Sequence, residues 1–172
     1  MTHSASTKAS LDGRAEARVS GAVEGIHLVA ERGGPPFAVN EVVAEAGRGL
    51  RGDRHHARPG ANDLTLIEAE ALERLAAEHG VKLGPGESRR NLTTRGLDLG
   101  ALVGRRFRVG EVVCEGIERN EPCRHLSEVT GEPGVLRGLV HTGLEAAVLE
   151  GGTIRVGDAV ALAEPRAAEP GG

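Results

Sequence analysis

Glycine-rich turns cut this chain into short apolar runs, and that spacing constrains the fold more than any other feature. Gly33-Gly34-Pro35-Pro36, Gly84-Pro85-Gly86, Gly110-Glu111, Gly151-Gly152 and Gly157-Asp158 each bound a run of a few residues. Clusters of this kind mark turns, and the short Val-, Ile- and Leu-bearing runs between them read as strands. Strands are expected at 19–30, 39–46, 64–67 and 89–94, then in a hairpin at 106–109 and 112–117. Three closing strands follow at 144–149, 153–156 and 159–163. The stretch 47–59 reads as a loop. One segment, 68–79, sets Ala69, Leu72, Leu75 and Ala76 at helical spacing and stops at Gly80. Shorter helical turns are expected at 125–130 and 135–140. Many short strands with few helices point to a mostly β, barrel-like core carrying a few short α-helices.

The chain has 172 residues, enough for one domain with a sizeable core. The composition places that domain at 19–163, between polar tails at 1–18 and 164–172. The formal net charge is −4 and the only aromatic residues are Phe37 and Phe107. Neither a basic surface nor a base-stacking platform is available, which argues against nucleic acid as a partner. The core must be built from Val, Leu, Ile and Ala. No apolar run is long enough for a membrane span, and the N-terminus has no apolar secretory region. Two cysteines do not make a disulfide framework, so the expected setting is the reducing cytoplasm.

Those two cysteines differ chemically. Cys114 lies in the apolar run Val112-Val113-Cys114 and reads as part of a buried strand. Cys123 lies in Asn120-Glu121-Pro122-Cys123-Arg124-His125, after a proline that restricts the backbone and before two basic residues. Neighbouring positive charge favours the reactive thiolate, and a helix beginning after Pro122 would add to that field.

The motifs form an ordered series. Gly52-Asp53-Arg54-His55 is followed by Leu64-Thr65-Leu66-Ile67-Glu68, Gly84-Pro85-Gly86, Arg89-Arg90-Asn91-Leu92 and Gly104-Arg105-Arg106-Phe107-Arg108-Val109-Gly110. Glu121-Pro122-Cys123-Arg124, Gly143-Leu144-Glu145-Ala146 and the run from Gly151 to Asp158 complete it. This order resembles the MOSC domain, the type found at the C-terminus of molybdenum-cofactor sulfurases. The resemblance covers about residues 19–163. It implies a barrel-like fold, of the kind of the pyruvate-kinase β-barrel domain, and a role near molybdenum-cofactor or sulfur chemistry. Pyridoxal phosphate belongs to fused relatives that carry a desulfurase domain, for which this chain has no room. Related chains often read Cys-Glu-Pro-Cys where this one has Asn120, so a paired-thiol or metal-clip role is not expected here.

Under this resemblance Cys123 could ligate molybdenum as a thiolate or carry a persulfide sulfur. A persulfide needs a lone thiol, because a resolving partner would release the sulfur. The alternative is an inert buried cysteine. Arg89, Arg90 and Asn91 are candidate anchors for the phosphate of a molybdopterin-type cofactor, since guanidinium forks match phosphate oxygens. On a strand, Arg89 and Asn91 would share one face; the alternative is a solvated sheet edge. His55 could face the cysteine as a proton donor, while Asp53 is expected to form an Asx-type turn. His55 and His56 point apart on an extended loop, so a metal site using both is not expected. Arg124 and His125 join the candidate cofactor-binding set. Glu68 is expected to complement the dipole of its own helix, and His141 to be structural.

Three functions follow as expectations. The first is a molybdenum-cofactor protein with Cys123 as the metal ligand, in its enzymatic form reducing N-hydroxylated small molecules with electrons from a separate protein. The second is a sulfur carrier loaded by a separate desulfurase. The third is a small-ligand-binding domain without catalysis. No phosphate-binding glycine loop, dinucleotide fingerprint or Gly-x-Ser-x-Gly elbow competes with them.

Overall fold

Alternation along the strands sorts side chains between the inside of a barrel and its outer face. The structure is a computed structural model and describes residues 18–163, so the tails expected at 1–18 and 164–172 lie outside it, apart from Arg18. The elements are β1 (Ser20–Val29), β2 (Pro36–Val39), β3 (Glu41–Glu45), β4 (Gly49–Leu50), β5 (Leu64–Glu68), α1 (Ala69–His79) and β6 (Leu92–Arg95). A 3-10 turn (Leu99–Leu102) leads to β7 (Arg106–Val109), β8 (Val112–Glu118), α2 (Arg124–Thr130), α3 (Val135–Gly138), β9 (Leu144–Glu150), β10 (Gly152–Arg155) and β11 (Ala159–Leu162).

Seven strands close in the order β1-β11-β7-β8-β9-β5-β6 and return to β1. Residues 20–22 of β1 pair with β11 and residues 26–29 with β2, while β6 runs along the opposite edge. Every neighbouring pair in the ring is antiparallel except β5 and β6. That parallel pair needs a crossover, and α1 supplies it. A small sheet, β10-β3-β4, adds Val42, Ala44, Leu50 and Ile154 to the barrel core.

β5 shows how one strand serves three purposes. Leu64 and Leu66 point into the barrel core and are fully buried. Ile67 points outward and joins Leu75 of α1, Leu126 of α2, and Val135 and Leu139 around α3 in a second apolar cluster. Thr65, also outward, is left to the site described below. Phe107 is the one ring inside the barrel, and Cys114 is sealed beside it. Burial, with the Asp63 charge adding to it, pushes the Cys114 thiol up to about 12.

Several sequence expectations need correction. The strand expected at 39–46 is two strands, split at Asn40, whose carbonyl accepts from Val156 N. Pro36 opens β2 instead of ending a turn, which an edge strand tolerates because proline lacks only a donor. The loop at 47–59 contains the two-residue β4, and the 3-10 turn was not foreseen. The strand expected at 89–94 begins only at Leu92. Arg89 has a left-handed backbone (φ 64°), which breaks the extended run and removes the shared face expected for Arg89 and Asn91. Glu68 makes no cap bond to α1; its Oε2 accepts from Leu99 N across the fold (3.1 Å).

Two predictions follow from the packing. Burial pushes the Glu68 carboxyl above its ordinary range, and Asp98 adds to this, while the Leu99 N–H, Arg74 and Arg119 oppose it. A carboxyl raised in this way favours the folded state while protonated and loses that advantage as pH rises through the folded pKa. Glu68→Gln keeps an acceptor for Leu99 N, so its thermal midpoint should match wild type near about pH 4 and exceed it near about pH 8. An equal shift at both ends would count against the argument. Leu126 is 2% exposed in the second cluster, so Leu126→Ala should cost about 3 kcal/mol in urea unfolding. Val129→Ala, at an exposed position of the same helix, should change stability by less than about 0.5 kcal/mol.

Candidate functional site

Three irregular segments meet at the outer face of β5: the 51–63 loop, the 86–91 approach to β6, and the 119–143 strap between β8 and β9. They enclose a pocket of about 170 Å³ lined by Val29, Asp53, Arg54, His55, Asn62, Thr65, Arg89, Arg90, Asn91, Asn120, Cys123, His125 and Leu126. The strap returns to the barrel through Gly143 at φ 74°, where a Cβ would lie 3.1 Å from Asn120 O and 3.2 Å from Leu66 O. Glycine suits that turn on both counts.

Asp53 and Asn91 hold these segments together. Asp53 Oδ1 accepts from Val29 N (3.0 Å) and Asn91 Nδ2 (3.4 Å). Asp53 Oδ2 accepts from His55 N (3.2 Å), the expected Asx-type turn, and lies 3.3 Å from His55 Nδ1. Burial alone would push this carboxyl up. The hydrogen bonds from the His55 ring, Val29 N and His55 N outweigh burial and hold it below its ordinary value. Asn91 Oδ1 accepts from Thr65 N and Thr65 Oγ1, both at 3.1 Å. Asn91 N donates back to Thr65 Oγ1 (3.0 Å), and Asn91 Nδ2 donates to His27 O (3.3 Å). Asn91 is thereby consumed by the scaffold and ties β1, β5 and the loop to the start of β6.

The two arginines before Asn91 are less fully used. Arg90 is 8% exposed. It donates to Ser88 O and Asn120 O (both 3.1 Å), and its Nε has no partner among the described residues. Burial lowers its pKa, while Cys123 and Glu145 nearby act to raise it. Arg89 donates to Gly34 O (2.6 Å) and leaves a buried Nη2 unpartnered. Burial and then Arg54 lower its pKa, with Asp53 opposing. His125 lines the same pocket with its buried Nε2 also unpartnered.

Cys123 is the residue before α2, in an extended conformation (φ −126°, ψ 169°). Its carbonyl accepts from Leu126 N (3.0 Å) and Ser127 N (3.3 Å), and its side chain makes no cap bond. The helix start therefore uses only the backbone, and the exposed thiol stays on the pocket wall. Of the sequence-predicted residues, Cys123, Arg89, Arg90, Asn91, His55 and His125 come together in this pocket. Arg124 is exposed on the first turn of α2 and is not part of the lining. His56 turns away from His55 to Glu45 (2.7 Å). His141 pairs with Glu121 (3.1 Å) at the base of the strap.

Arg54, Asn62, Thr65 and Asn120 also line the pocket without having been assigned to it from sequence. Strand alternation was the signal available for Thr65, since Leu64 and Leu66 must face the core. Among the described residues, no three His, Cys, Asp or Glu side chains gather into a metal site. The lining combines one thiol, one internally satisfied carboxylate and an excess of cationic donors. Chemically it can take an anionic, acceptor-rich group next to a sulfur.

A family model of the MOSC domain matches residues 52–161. The fold is similar to that of the YuaD protein from Bacillus subtilis, with a TM-score of 0.71 at 18% identity over 83% of this chain and 95% of that one. It is also similar to YiiM from Geobacillus stearothermophilus (TM-score 0.65, 16% identity, 84% of this chain and 75% of that one). YiiM from Escherichia coli gives a TM-score of 0.62 at 18% identity, over 84% of this chain and 70% of that one. No curated protein sequence matches the chain. At such identities the solved structures speak to fold alone. The family match runs from the loop that carries Asp53 through the Cys123 strap to the last barrel strand, and the chain belongs to the MOSC domain family.

Proposed function

We propose that this chain holds a molybdopterin-type cofactor at the pocket, with Cys123 as its sulfur ligand to molybdenum. The observation that carries the reading is the convergence of one thiol with three buried nitrogens that lack partners among the described residues: Arg89 Nη2, Arg90 Nε and His125 Nε2. Buried polar groups are rarely left unpaired, and an acceptor-rich ligand would satisfy the two guanidinium nitrogens. The donor set fits such a cofactor, whose phosphate and metal oxygens are anionic. A pocket of about 170 Å³ is smaller than the roughly 300–1,000 Å³ of sites that enclose a whole ligand. It suits the metal-bearing end, with the remainder outside.

When bound, molybdenum supplies two-electron redox chemistry. The chain's own part is to bind and orient. Arg90 sets a fixed positive charge beside the sulfur, and Asn120 O and Ser88 O hold its fork in place. Asp53 and Asn91 fix the pocket walls. In its enzymatic form the reading is the reduction of N-hydroxylated small molecules, with two electrons from a separate donor protein. Protein from a cofactor-competent host grown with molybdate should carry close to one molybdenum per chain. Cys123→Ala and Arg90→Met should each lower that content by about tenfold, the scale on which ligand and supporting residues act. Equal, low content in all three proteins would rule the reading out.

A second reading draws on a different observation. Cys123 is exposed, while Cys114 is sealed in the barrel at 0% exposure. A persulfide on Cys123 would therefore meet no second thiol of this chain able to resolve it. After incubation with a cysteine desulfurase and cysteine, intact mass should show one added sulfur, and peptide mapping should place it on Cys123. Sulfur on Cys114, or none, would remove this alternative.

A further inference from the structure

Either job for Cys123 requires a partner that reaches it, to deliver electrons or sulfur. The charge around the pocket indicates what kind of surface that partner carries. The chain as a whole has a formal charge of −4. The 47–60 loop runs the other way, with Arg48, Arg51, Arg54 and Arg58 against the single carboxylate Asp53. Asp53 is buried and already committed to Val29, His55 and Asn91. Arg48 (3.3 Å) and Arg51 share the one carboxylate of Glu45, which also takes His56. Arg54 lines the pocket, Arg58 is exposed beyond it, and Arg124 is exposed on the residue next to Cys123. On the strap Glu121 is drawn to His141, and Glu145 of β9 is already engaged with Asn62 and faces Arg90.

We propose that the pocket mouth is a docking surface for an acidic protein segment, the donor that serves Cys123. The inference rests on the reading of Cys123 as the reacting sulfur. Electrostatic complementarity of this kind speeds encounter and excludes wrong partners more than it adds affinity. Arginine is also the basic residue that protein interfaces favour, and the chain's two lysines, Lys8 and Lys82, are not in this loop. Val129 lies four residues after His125 in α2, on the same helix face, and is 38% exposed. It sets an apolar contact beside the charged mouth, as interfaces with a charged rim require. A nucleic acid is the poorer occupant. Stacking platforms need several accessible rings, and here Phe107 is buried in the barrel and only Phe37, exposed on β2 and outside the pocket lining, is accessible.

The test uses the full chain and an oligoglutamate peptide of about 20 residues, read as protection of Cys123 from alkylation by a neutral reagent. At low salt the peptide should slow alkylation about fivefold. Protection should vanish near about 1 M salt, where the Debye length falls to about 3 Å. The Arg58→Glu/Arg124→Glu variant should lose it at low salt, protection being read in each protein as the ratio of alkylation rates without and with peptide, and circular dichroism serving as the control on the fold. Protection unchanged in that variant, or absent in wild type, would overturn the proposal. So would equal protection by an oligothymidylate of matching charge, because the surface would then recognise charge without preference for protein. Molybdenum content and sulfur labelling are measured without the peptide, so they judge the role of Cys123 independently of the docking surface.

Discussion

A ring of seven strands cannot alternate in direction all the way round, because an odd number of alternations does not close. One neighbouring pair must be parallel, and here it is β5 with β6. A parallel pair cannot be joined by a tight turn and needs a crossover, most simply a helix. The longest amphipathic helix among the described residues, α1, is that crossover. Once α1 lies on the outside of the barrel, its apolar face and Ile67 need cover. Leu126, Val135 and Leu139 of the strap provide it. The position of Cys123 on the pocket wall thus follows from the closure of the barrel through a short chain of packing requirements.

The pocket sits where the same constraint leaves the backbone irregular. Between the end of α1 and the start of β6 the chain must return to the sheet, and it does so through Arg89 in a left-handed conformation. Such a residue costs on the order of 1 kcal/mol and persists only where its surroundings fix it. Asn91 does the fixing, through hydrogen bonds to three residues, His27 of β1, Thr65 of β5 and Asp53 of the 51–63 loop. The backbone kink lets Arg90 turn under Asn120 while Arg89 reaches Gly34. Two adjacent cations then share one wall without a carboxylate hydrogen-bonded to either. Arg90, the buried one of the two, is costly to keep charged without negative charge nearby. Glu145 and Cys123 face it, and the ligand proposed above would add negative charge of its own.

Much of the fold was legible from local pattern, because glycine punctuation and strand alternation are local signals. β1, β5, the β7–β8 hairpin, α1 and the last three strands lie close to where those signals put them. What local pattern could not carry was pairing. Asn40 divides two strands because β2 pairs with β1 while β3 pairs with β10, a choice made by distant partners. The kink at Arg89 has no glycine to announce it. The site divides in the same way. Cys123 stood out through its own neighbours, whereas Asn62 and Arg54 carry no local mark. Thr65 enters through a strand register, and Asn120 through its carbonyl, which no side-chain motif encodes. Arg124 is the converse case: adjacent to Cys123 in sequence, it is turned outward by the helix that begins with it.

The connection between β8 and β9 shows why this arrangement separates stability from chemistry. These strands are antiparallel neighbours, and a two-residue turn would join them. The chain instead runs from 119 to 143 through two short helices before pairing resumes. None of the strap's apolar residues enters the barrel core; Leu126, Val135 and Leu139 all pack in the second cluster. The barrel can therefore keep its packing while the strap changes length or sequence, and the thiol moves with the strap. Arg90 and Asn91 are anchored to the barrel side and do not move with it. Chemistry at the pocket is then set by how one mobile-in-sequence segment meets one fixed wall. Substitutions of Leu126, Val135 or Leu139 should act on Cys123 and on the cover of α1 together, because the second cluster also holds Ile67 of β5 and Leu75 of α1 while the barrel's inner core shares no residue with it.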